Sequence, residues 1–397
     1  MFGHPVTMLI VLVPALCLVV LTAYASFVTW RHRRAVDSIP IRVHVNGTRG
    51  KSTVTRLIAA GFRAAGYRTV AKTTGTAARL ILEDGSELDL ERSGPANIGE
   101  QVEIVRSAAK RKAEVLVIEC MAVLPELQTT SQQSIVRGTC GVVTNVRPDH
   151  QEVMGEALEE IAWHLAAVSP PGGYLVTGEQ SPTVLEVLKA RATTLGAELL
   201  VADPATAPSA KEFGRHEFPD NLALALRVCE VHGIDRETAL AGMRTAAMDP
   251  GALSEQPLRL EGREVLFVNA FAANDLVSTE QIIRSVCERR DERALVLMVN
   301  ARRDRARRTE DMALLVCNGF RVHSALLIGD GAGALERIIA RVRPDLPLLN
   351  VAGLPKEAVL KAVSANVPDN AYLLGIGNIG GPAGEVCEYL AAGAGGA

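Results

Sequence analysis

Residues 46–52, Asn-Gly-Thr-Arg-Gly-Lys-Ser, have the types and spacing of a loop that binds nucleotide phosphates. Glycines at 47 and 50 let the backbone approach phosphate oxygens, whose charge the N–H groups at a helix start can satisfy. Lys51 would reach the β- and γ-phosphates, and the Ser52 hydroxyl would bind Mg²⁺. The spacing departs from the general G-x-x-x-x-G-K-[ST] form, because Val45 occupies its first glycine position. We therefore expect a nucleoside triphosphate to be bound by Asn46, Gly47, Thr48, Arg49, Gly50, Lys51, Ser52 and Thr53.

Such a loop has to lie between a strand and a helix, and the residues around it predict both. The run 41–45, Ile-Arg-Val-His-Val, is typical of a strand, and residues 52–65 have a helical pattern with one apolar face. Further strands are predicted at 115–118, 139–144, 174–177, 265–268, 294–299, 325–328 and 372–376. Helical patterns separate most of them, at 158–168, 182–195, 221–231 and 278–289. This alternation predicts an α/β fold with mainly parallel sheets.

Bulk properties are those of a globular protein of two or three domains. The chain has 397 residues, of which 48% are hydrophobic and 22% charged, and a net charge of −3 gives no sign of a nucleic-acid partner. Its seven cysteines form no CxxC pair, which indicates reduced thiols. Turn residues at 248–251, Met-Asp-Pro-Gly, predict a boundary between a nucleotide-binding domain at 40–248 and a smaller α/β domain at 252–390.

The N-terminus carries a separate apolar segment. Residues 6–30 contain no charged side chain, and a helix of about 20 such residues crosses a bilayer. Because the run 31–34, Arg-His-Arg-Arg, follows directly, the positive-inside rule places the rest of the chain in the cytoplasm. We expect a single-pass anchor in the cell membrane at 6–30 and a short polar linker at 35–40. A cleaved signal peptide is the alternative, although its positive charge would precede the apolar core.

The loop resembles the G-T-x-G-K-[ST] loop of the Mur ligase superfamily, whose members join amino acids through ATP-activated carboxylates. Later segments resemble motifs of that superfamily in the same order along the chain: 73–76 (T-T-G-T), Glu119 at the end of an apolar strand, 144–150 (T-N-V-R-P-D-H), 214–217 (G-R-H-E) with Asn221, and 269–275 (N-A-F-A-A-N-D). This collinear order implies that the N-terminal transmembrane helix is followed by a phosphate-loop central domain with a mainly parallel sheet and by a smaller C-terminal α/β domain.

The same resemblance implies catalytic roles for Lys51, Glu119 and His150. Mg²⁺ would be bound by Ser52, Glu119 and His150. Without the resemblance, Glu119 can be a surface carboxylate, and the Asp149-His150 pair can be a helix cap.

In the C-terminal domain, Asn269, Arg302 and Asp304 would contact ATP. Asn269 is a departure, since the superfamily often has Asp there. The arginine-rich run 301–308 is open to two interpretations, a solvated helix face or a surface that steers phosphate or a polyanionic chain.

A second departure concerns the metal site. The peptidoglycan ligases have a carbamylated lysine beyond the D-H pair, whereas this chain has no lysine between Lys112 and Lys189. His164 lies in that vicinity and either substitutes for the lysine or is a structural histidine.

Within the superfamily, the chain most resembles the ATP-binding subunits of poly-γ-glutamate synthases. The anchor directly before the loop, the R-G-K-S-T form of the loop, the segment 118–122 (I-E-C-M-A) and the segment 375–379 (G-I-G-N-I) carry this resemblance. It implies a membrane-anchored ligase that uses ATP and Mg²⁺ to form γ-glutamyl amide bonds.

Glutamate and the growing poly-γ-glutamate chain would be its substrates. Small multi-pass membrane subunits would be its partners, and a homo-oligomer is left open. The alternatives are a ligase like folylpolyglutamate synthetase, an NTP-hydrolysing export motor or regulator, and a nucleotide-binding scaffold without catalysis.

Overall fold

The computed structural model describes residues 5–74, 78–90, 97–213, 217–248, 253–271, 273, 276–378 and 381–393. Parts of the predicted motifs lie outside these ranges, namely residues 75–76, 214–216, 249–251, 272, 274–275 and 379. The chain divides into two compact units, residues 1–247 and 248–397. Each has its own sheet and its own hydrophobic core.

Eight strands form the sheet of the first unit: β1 (Ile41–Asn46), β2 (Thr69–Thr73), β3 (Arg79–Ile81), β4 (Glu87–Asp89), β5 (Val115–Glu119), β6 (Cys140–Val143), β7 (Tyr174–Thr177) and β8 (Glu198–Val201). Their order across the sheet is β4-β3-β2-β5-β1-β6-β7-β8. Pairing is parallel from β2 to β8, whereas β3 and β4 are antiparallel additions at one edge. The last residue of the central strand β1 therefore lies near the middle of the carboxyl edge of this sheet.

The helices described in this unit are α1 (Pro5–Asp37), α2 (Lys51–Ala64), α3 (Gly99–Lys110), α4 (Pro125–Thr130), α5 (Gln151–Met154), α6 (Leu158–Leu165), α7 (Pro182–Thr194), α8 (Ala210–Phe213), α9 (Pro219–Val231) and α10 (Arg236–Thr245). A π-helical turn, Ser131–Val136, continues α4, and 3₁₀ turns lie at Ala166–Val168 and Pro204–Thr206. Leu57, Ile58 and Phe62 of α2 are fully buried in the main core, as the helical pattern predicts.

The N-terminal helix α1 is longer than the predicted anchor. Residues 12–37 have a mean hydropathy of 2.1 in their most apolar window, which lies outside the folded core, so this helix is long and apolar enough to span a membrane. The predicted polar linker at 35–40 is wrong, because α1 continues to Asp37 and both Val36 and Ile39 are fully buried. These two side chains, three positions apart, pack in a core that includes α3 residues.

Hydrogen bonds fix this end of α1 to the first unit. The Arg42 guanidinium donates to the carbonyl oxygens of Val36 and Ile39, and its Nε donates to Arg137 O at 2.9 Å. His32 Nε2 lies 2.9 Å from Ile135 O. The C-terminal end of α1 is therefore packed against the first unit.

The second unit is a smaller α/β structure with strands β9 (Ser254–Leu260), β10 (Arg263–Asn269), β11 (Leu295–Asn300), β12 (Ser324–Ile328), β13 (Leu348–Asn350) and β14 (Ala371–Gly377). Their order is β13-β12-β11-β14-β10-β9, and only the β9–β10 pair is antiparallel. Its described helices are α11 (Leu276–Arg289), α12 (Ala306–Cys317), α13 (Ala332–Val342), α14 (Lys356–Asn366) and α15 (Pro382–Gly393), with a 3₁₀ turn at Arg303–Arg305. The predicted α/β fold with mainly parallel sheets is confirmed in both units.

Candidate active site

The predicted phosphate loop lies at the carboxyl edge of the first sheet, where β1 ends and α2 begins. Gly47 and Gly50 have φ angles of 124° and 80°, which favour glycine. A Cβ atom at position 47 would lie 2.0 Å from Thr144 Oγ1, and one at position 50 would lie 2.6 Å from Asn221 Oδ1. Both backbone angle and space therefore require glycine at these two positions.

Lys51 is folded back onto the loop. Its Nζ donates to Gly47 O at 2.6 Å and to Thr48 O at 3.1 Å. Burial lowers the pKa of Lys51, while the neighbouring Glu119 carboxylate acts in the opposite direction. The ammonium group thus lies inside the loop, where phosphate oxygens can replace the two carbonyl acceptors.

Glu119 lies beside the loop because β5 pairs with β1, which sets Val45 opposite Glu119. Its side chain is almost completely buried. Its Oε2 accepts hydrogen bonds from Ser52 Oγ at 2.8 Å and from the Thr74 amide at 2.7 Å. A hydroxyl and a carboxylate in contact are oxygen ligands of the kind Mg²⁺ prefers, so these residues fit that ion.

His150 is the first residue of the turn into α5, with a φ angle of 48° that is uncommon for a residue with a side chain. Its imidazole is 42% exposed and Nδ1 lies 3.4 Å from Glu152 Oε1. No side-chain hydrogen bond caps α5 at His150. Asp149 instead pairs with the loop, its Oδ2 lying 3.4 Å from Arg49 Nη2.

One cavity of about 280 Å³ brings the three predicted catalytic side chains together, since Lys51, Glu119 and His150 all line it. Loop residues Asn46, Gly47, Thr48 and Arg49 and the neighbouring Thr74 and Asp149 also line it. Within the described ranges, no group of three His, Cys, Asp or Glu side chains could hold a metal ion. Ser52 is not among the lining residues, but its hydroxyl is bonded to Glu119, which is. His164, half-buried on α6, is not among the lining residues.

Sequence reasoning did not identify Gln128 as a site residue. Asn46 Nδ2 donates to Gln128 Oε1 at 2.8 Å and to Leu165 O at 3.1 Å, and Gln128 is buried in α4 beneath the loop. These partners are 82 and 119 residues away in sequence, and no local pattern marks them.

Residues predicted to bind nucleotide in the second unit lie at the carboxyl edge of its sheet. Asn269 ends β10, is 8% exposed, and its Oδ1 accepts a 3.3 Å bond from the Phe271 amide. Arg302 follows β11 and makes a two-point contact with Asp304, at 2.9 and 2.8 Å. This contact lowers the pKa of Asp304. The nucleotide contacts of all three residues stay predictions.

Each of the two units matches the model of a known protein family. Residues 45–213 match the model of the Mur ligase middle domain, and residues 256–393 match that of the poly-gamma-glutamate synthase CapB C-terminal domain. The capsule biosynthesis protein CapB of Bacillus anthracis is 37% identical over 383 residues, which are 94% of this chain and 82% of that protein. The PGA synthase CapB of Bacillus subtilis is 37% identical over 369 residues, 91% of this chain and 92% of that protein.

The chain belongs to the CapB family. Like other members of the Mur ligase superfamily, it is an ATP-dependent amide ligase.

Solved structures with the same fold include folylpolyglutamate synthases. Escherichia coli FolC in complex with ADP has a TM-score of 0.69 at 16% identity, covering 93% of both chains. The Yersinia pestis bifunctional folylpolyglutamate synthase/dihydrofolate synthase with AMPPNP and Mn has a TM-score of 0.68 at 16% identity, covering 91% of this chain and 92% of that one. At 16% identity, these similarities show that this CapB-family chain has the same fold as those enzymes.

Proposed function

We propose that this CapB-family chain is a membrane-anchored ligase that forms the γ-glutamyl amide bonds of poly-γ-glutamate through an acyl phosphate. The names of its relatives, a PGA synthase and a capsule biosynthesis protein, support the product. The observation that carries the mechanism is the shared cavity of Lys51 and Glu119, with Ser52 bonded to the same carboxylate.

The reaction has two balanced steps. A glutamate γ-carboxylate oxygen attacks the γ-phosphorus of ATP, forming an acyl phosphate as the phosphorus–oxygen bond to ADP breaks. The amine of a second glutamate then attacks the acyl carbon, phosphate leaves, and the nitrogen loses a proton. Catalysis of this kind rests on positioning and charge neutralisation, which here are tasks for the loop amides and Lys51.

Ser52, Glu119 and His150 would hold Mg²⁺. The ion supplies positive charge next to the transferred phosphoryl group. Ser52 and Glu119 are already in contact, and the partly exposed His150 imidazole borders the same cavity. The Thr74 amide orients the carboxylate by donating to its Oε2.

The anchor assignment rests on α1. Apart from the half-buried Val28, its large apolar side chains from Leu12 to Trp30 are about half exposed or more, and three arginines follow in the next four residues. Because its last turns are packed on the first unit, the catalytic cavity would stay at the membrane from which a polymer must leave. Resistance of the full chain to alkaline extraction from membranes supports this placement, and release into the soluble fraction contradicts it.

Small multi-pass subunits and self-association stay predictions from the family resemblance. Co-purification of the full chain from detergent-solubilised membranes, followed by mass measurement of the complex, tests both.

The enzymatic proposal is tested with the full chain in membranes that contain the predicted multi-pass partner subunits, supplied with ATP, Mg²⁺ and radiolabelled glutamate. ADP and labelled polymer should appear together, and Lys51→Met should abolish both. Lys112→Met is the matched control, because this exposed lysine lies in the turn after α3 and does not line the cavity. ATP hydrolysis that does not require glutamate would favour an export motor, and nucleotide binding without turnover would favour a scaffold. Labelling of an added folate acceptor would favour the folylpolyglutamate synthetase-like alternative.

A further inference from the structure

A single side-chain amide holds the phosphate loop from the β6 side of the sheet. Asn145 follows β6, and its Oδ1 accepts a 3.1 Å hydrogen bond from the Arg49 amide. Its Nδ2 donates to Arg49 O, also at 3.1 Å. The Asn145 carbonyl accepts a 3.0 Å bond from the Thr48 amide. Both polar backbone groups of Arg49 are thus bonded to one side chain.

The residues on either side of Asn145 extend this contact. The Arg147 amide donates to Thr48 Oγ1 at 3.0 Å, and Thr48 Oγ1 lies 3.3 Å from Arg147 O. Two residues further, the Asp149 carboxylate pairs with the Arg49 side chain. Residues 48–49 and 145–149 therefore form one hydrogen-bonded unit that ends next to His150.

The geometry restricts the residue type at 145. One short side chain has to accept from an N–H and donate to a C=O of the same residue, and among side chains of this length only the Asn amide carries both groups. An aspartate lacks the donor, and an alanine lacks both groups. The Arg49 amide donates to the Asn145 side chain and the Thr48 amide donates to the Asn145 carbonyl, so neither is available to phosphate in this conformation. The amides at the start of α2 can face phosphate.

We propose that Asn145 is the positioning residue of the phosphate loop, holding it in the conformation that binds Mg²⁺–ATP and aligning it with Asp149 and His150. This inference rests on the proposed function only in taking ATP as the ligand. Asn145 touches the loop and acts through it.

Gln180 offers a control with the same kind of contact elsewhere on this sheet edge. Its Nε2 donates to Gly178 O at 3.1 Å and to Ala202 O at 2.8 Å, so it also holds two backbone segments that follow strands. Neither segment lines the phosphate cavity. Truncating Gln180 therefore reproduces the structural loss without touching the loop.

The test measures the dissociation constant of a non-hydrolysable ATP analogue with Mg²⁺, together with thermal unfolding, for the full chain in detergent. Asn145→Ala should weaken binding about tenfold or more, because each lost hydrogen bond contributes a few-fold. Asn145→Asp, which keeps the acceptor, should also weaken binding and provides the measurement if the alanine variant does not fold. Gln180→Ala should lower the unfolding temperature to a similar extent with binding within twofold of the parent.

The inference is overturned if either Asn145 variant that folds binds the analogue within twofold of the parent, or if Gln180→Ala weakens binding as much as Asn145→Ala. The binding measurement keeps this result separate from the proposed reaction. A parent chain that binds the analogue but makes no polymer would contradict the ligase proposal and leave the role of Asn145 measurable.

Discussion

The Ser52 hydroxyl donates a 2.8 Å hydrogen bond to the buried Glu119 carboxylate, although the two residues are 67 positions apart in the chain. The contact exists because the loop follows β1 and Glu119 ends the adjacent strand β5. It joins a phosphate-loop hydroxyl to a carboxylate at the wall of the cavity that also contains Lys51. This pair is the centre of the proposed Mg²⁺ site.

Replacing Glu119 by glutamine should abolish Mg²⁺-dependent turnover while leaving the fold intact. Glutamine keeps the shape of the side chain and an oxygen acceptor for Ser52 and Thr74, but it removes the negative charge. We expect kcat to fall by about a hundredfold or more. Magnesium titrations of ADP release measure the effect. Glu114→Gln, at an exposed pair with Arg68, should behave as the parent, and equal activity in both variants would remove Glu119 from the site.

The requirement for glycine at position 50 predicts a difference between two otherwise similar substitutions. Gly50 and Gly66 have φ angles of 80° and 87°, but only at Gly50 would a Cβ meet a neighbour, Asn221 Oδ1 at 2.6 Å. Gly66→Ala should cost about 1 kcal/mol of stability from backbone strain alone. Gly50→Ala should in addition prevent nucleotide binding. Calorimetric titration with the ATP analogue measures nucleotide binding by both variants. Undiminished binding by Gly50→Ala would show that the loop tolerates the added atom.

His44 predicts a loss of stability in weak acid. It is fully buried, with Nδ1 2.8 Å from Gln132 Oε1 and with the Lys72 charge nearby. Burial lowers the pKa of His44 from 6.5 to about 4. Between these values the unfolded chain binds a proton that the folded protein does not, so the free energy of unfolding decreases as pH falls through this window. The contribution is on the order of 3 kcal/mol.

The pH dependence of thermal unfolding, followed from pH 7 to pH 4, checks this expectation. His44→Gln should flatten the curve even if it lowers stability at pH 7. The exposed His323→Gln is the control and should leave the slope unchanged. An unaltered slope in His44→Gln would assign the acid sensitivity to other groups.

A buried ion pair in the first unit predicts coupled effects on stability. Lys72 is fully buried, and its Nζ lies 2.7 Å from Glu100 Oε1. Lys72→Met should lower the free energy of unfolding by about 3 kcal/mol, because Glu100 loses a cation at a site where water is largely excluded. Adding Glu100→Gln should restore part of this loss. Denaturant unfolding of both single variants and the double variant measures the coupling, and strictly additive effects would exclude it.

Regular patterns in the chain predicted the elements that position the site. The apolar run into Asn46 and the helical face of Leu57, Ile58 and Phe62 specified the strand–loop–helix unit, because burial demands that periodicity. The three-residue strands β3, β4 and β13 were not predicted, since segments so short carry no clear period, and β2, β8 and β9 were also missed. The linker prediction failed because Val36 and Ile39 are isolated among polar neighbours in the sequence, although both side chains are buried in one cluster, Val36 from the last turn of α1 and Ile39 from just beyond it.

The site features that were not predicted depend on contacts between residues far apart in the sequence. The motif at 144–150 was recognised, but the role of Asn145 depends on the spatial approach of β6 to the loop, 96 residues away in sequence. Gln128 belongs to the site because it lines the cavity and contacts Asn46, and both features depend on the fold. A sequence read without its fold identifies chemical groups more readily than their partners.

The central claim is that a glutamate carboxylate is activated by transfer of the ATP γ-phosphoryl group. It is tested most directly by supplying glutamate whose γ-carboxylate carries ¹⁸O and following the label by mass spectrometry of the released phosphate. We predict one labelled oxygen in phosphate for each γ-amide bond formed, because the carboxylate oxygen leaves with the phosphoryl group. Polymer formed with unlabelled phosphate would contradict an acyl phosphate and with it the proposed mechanism.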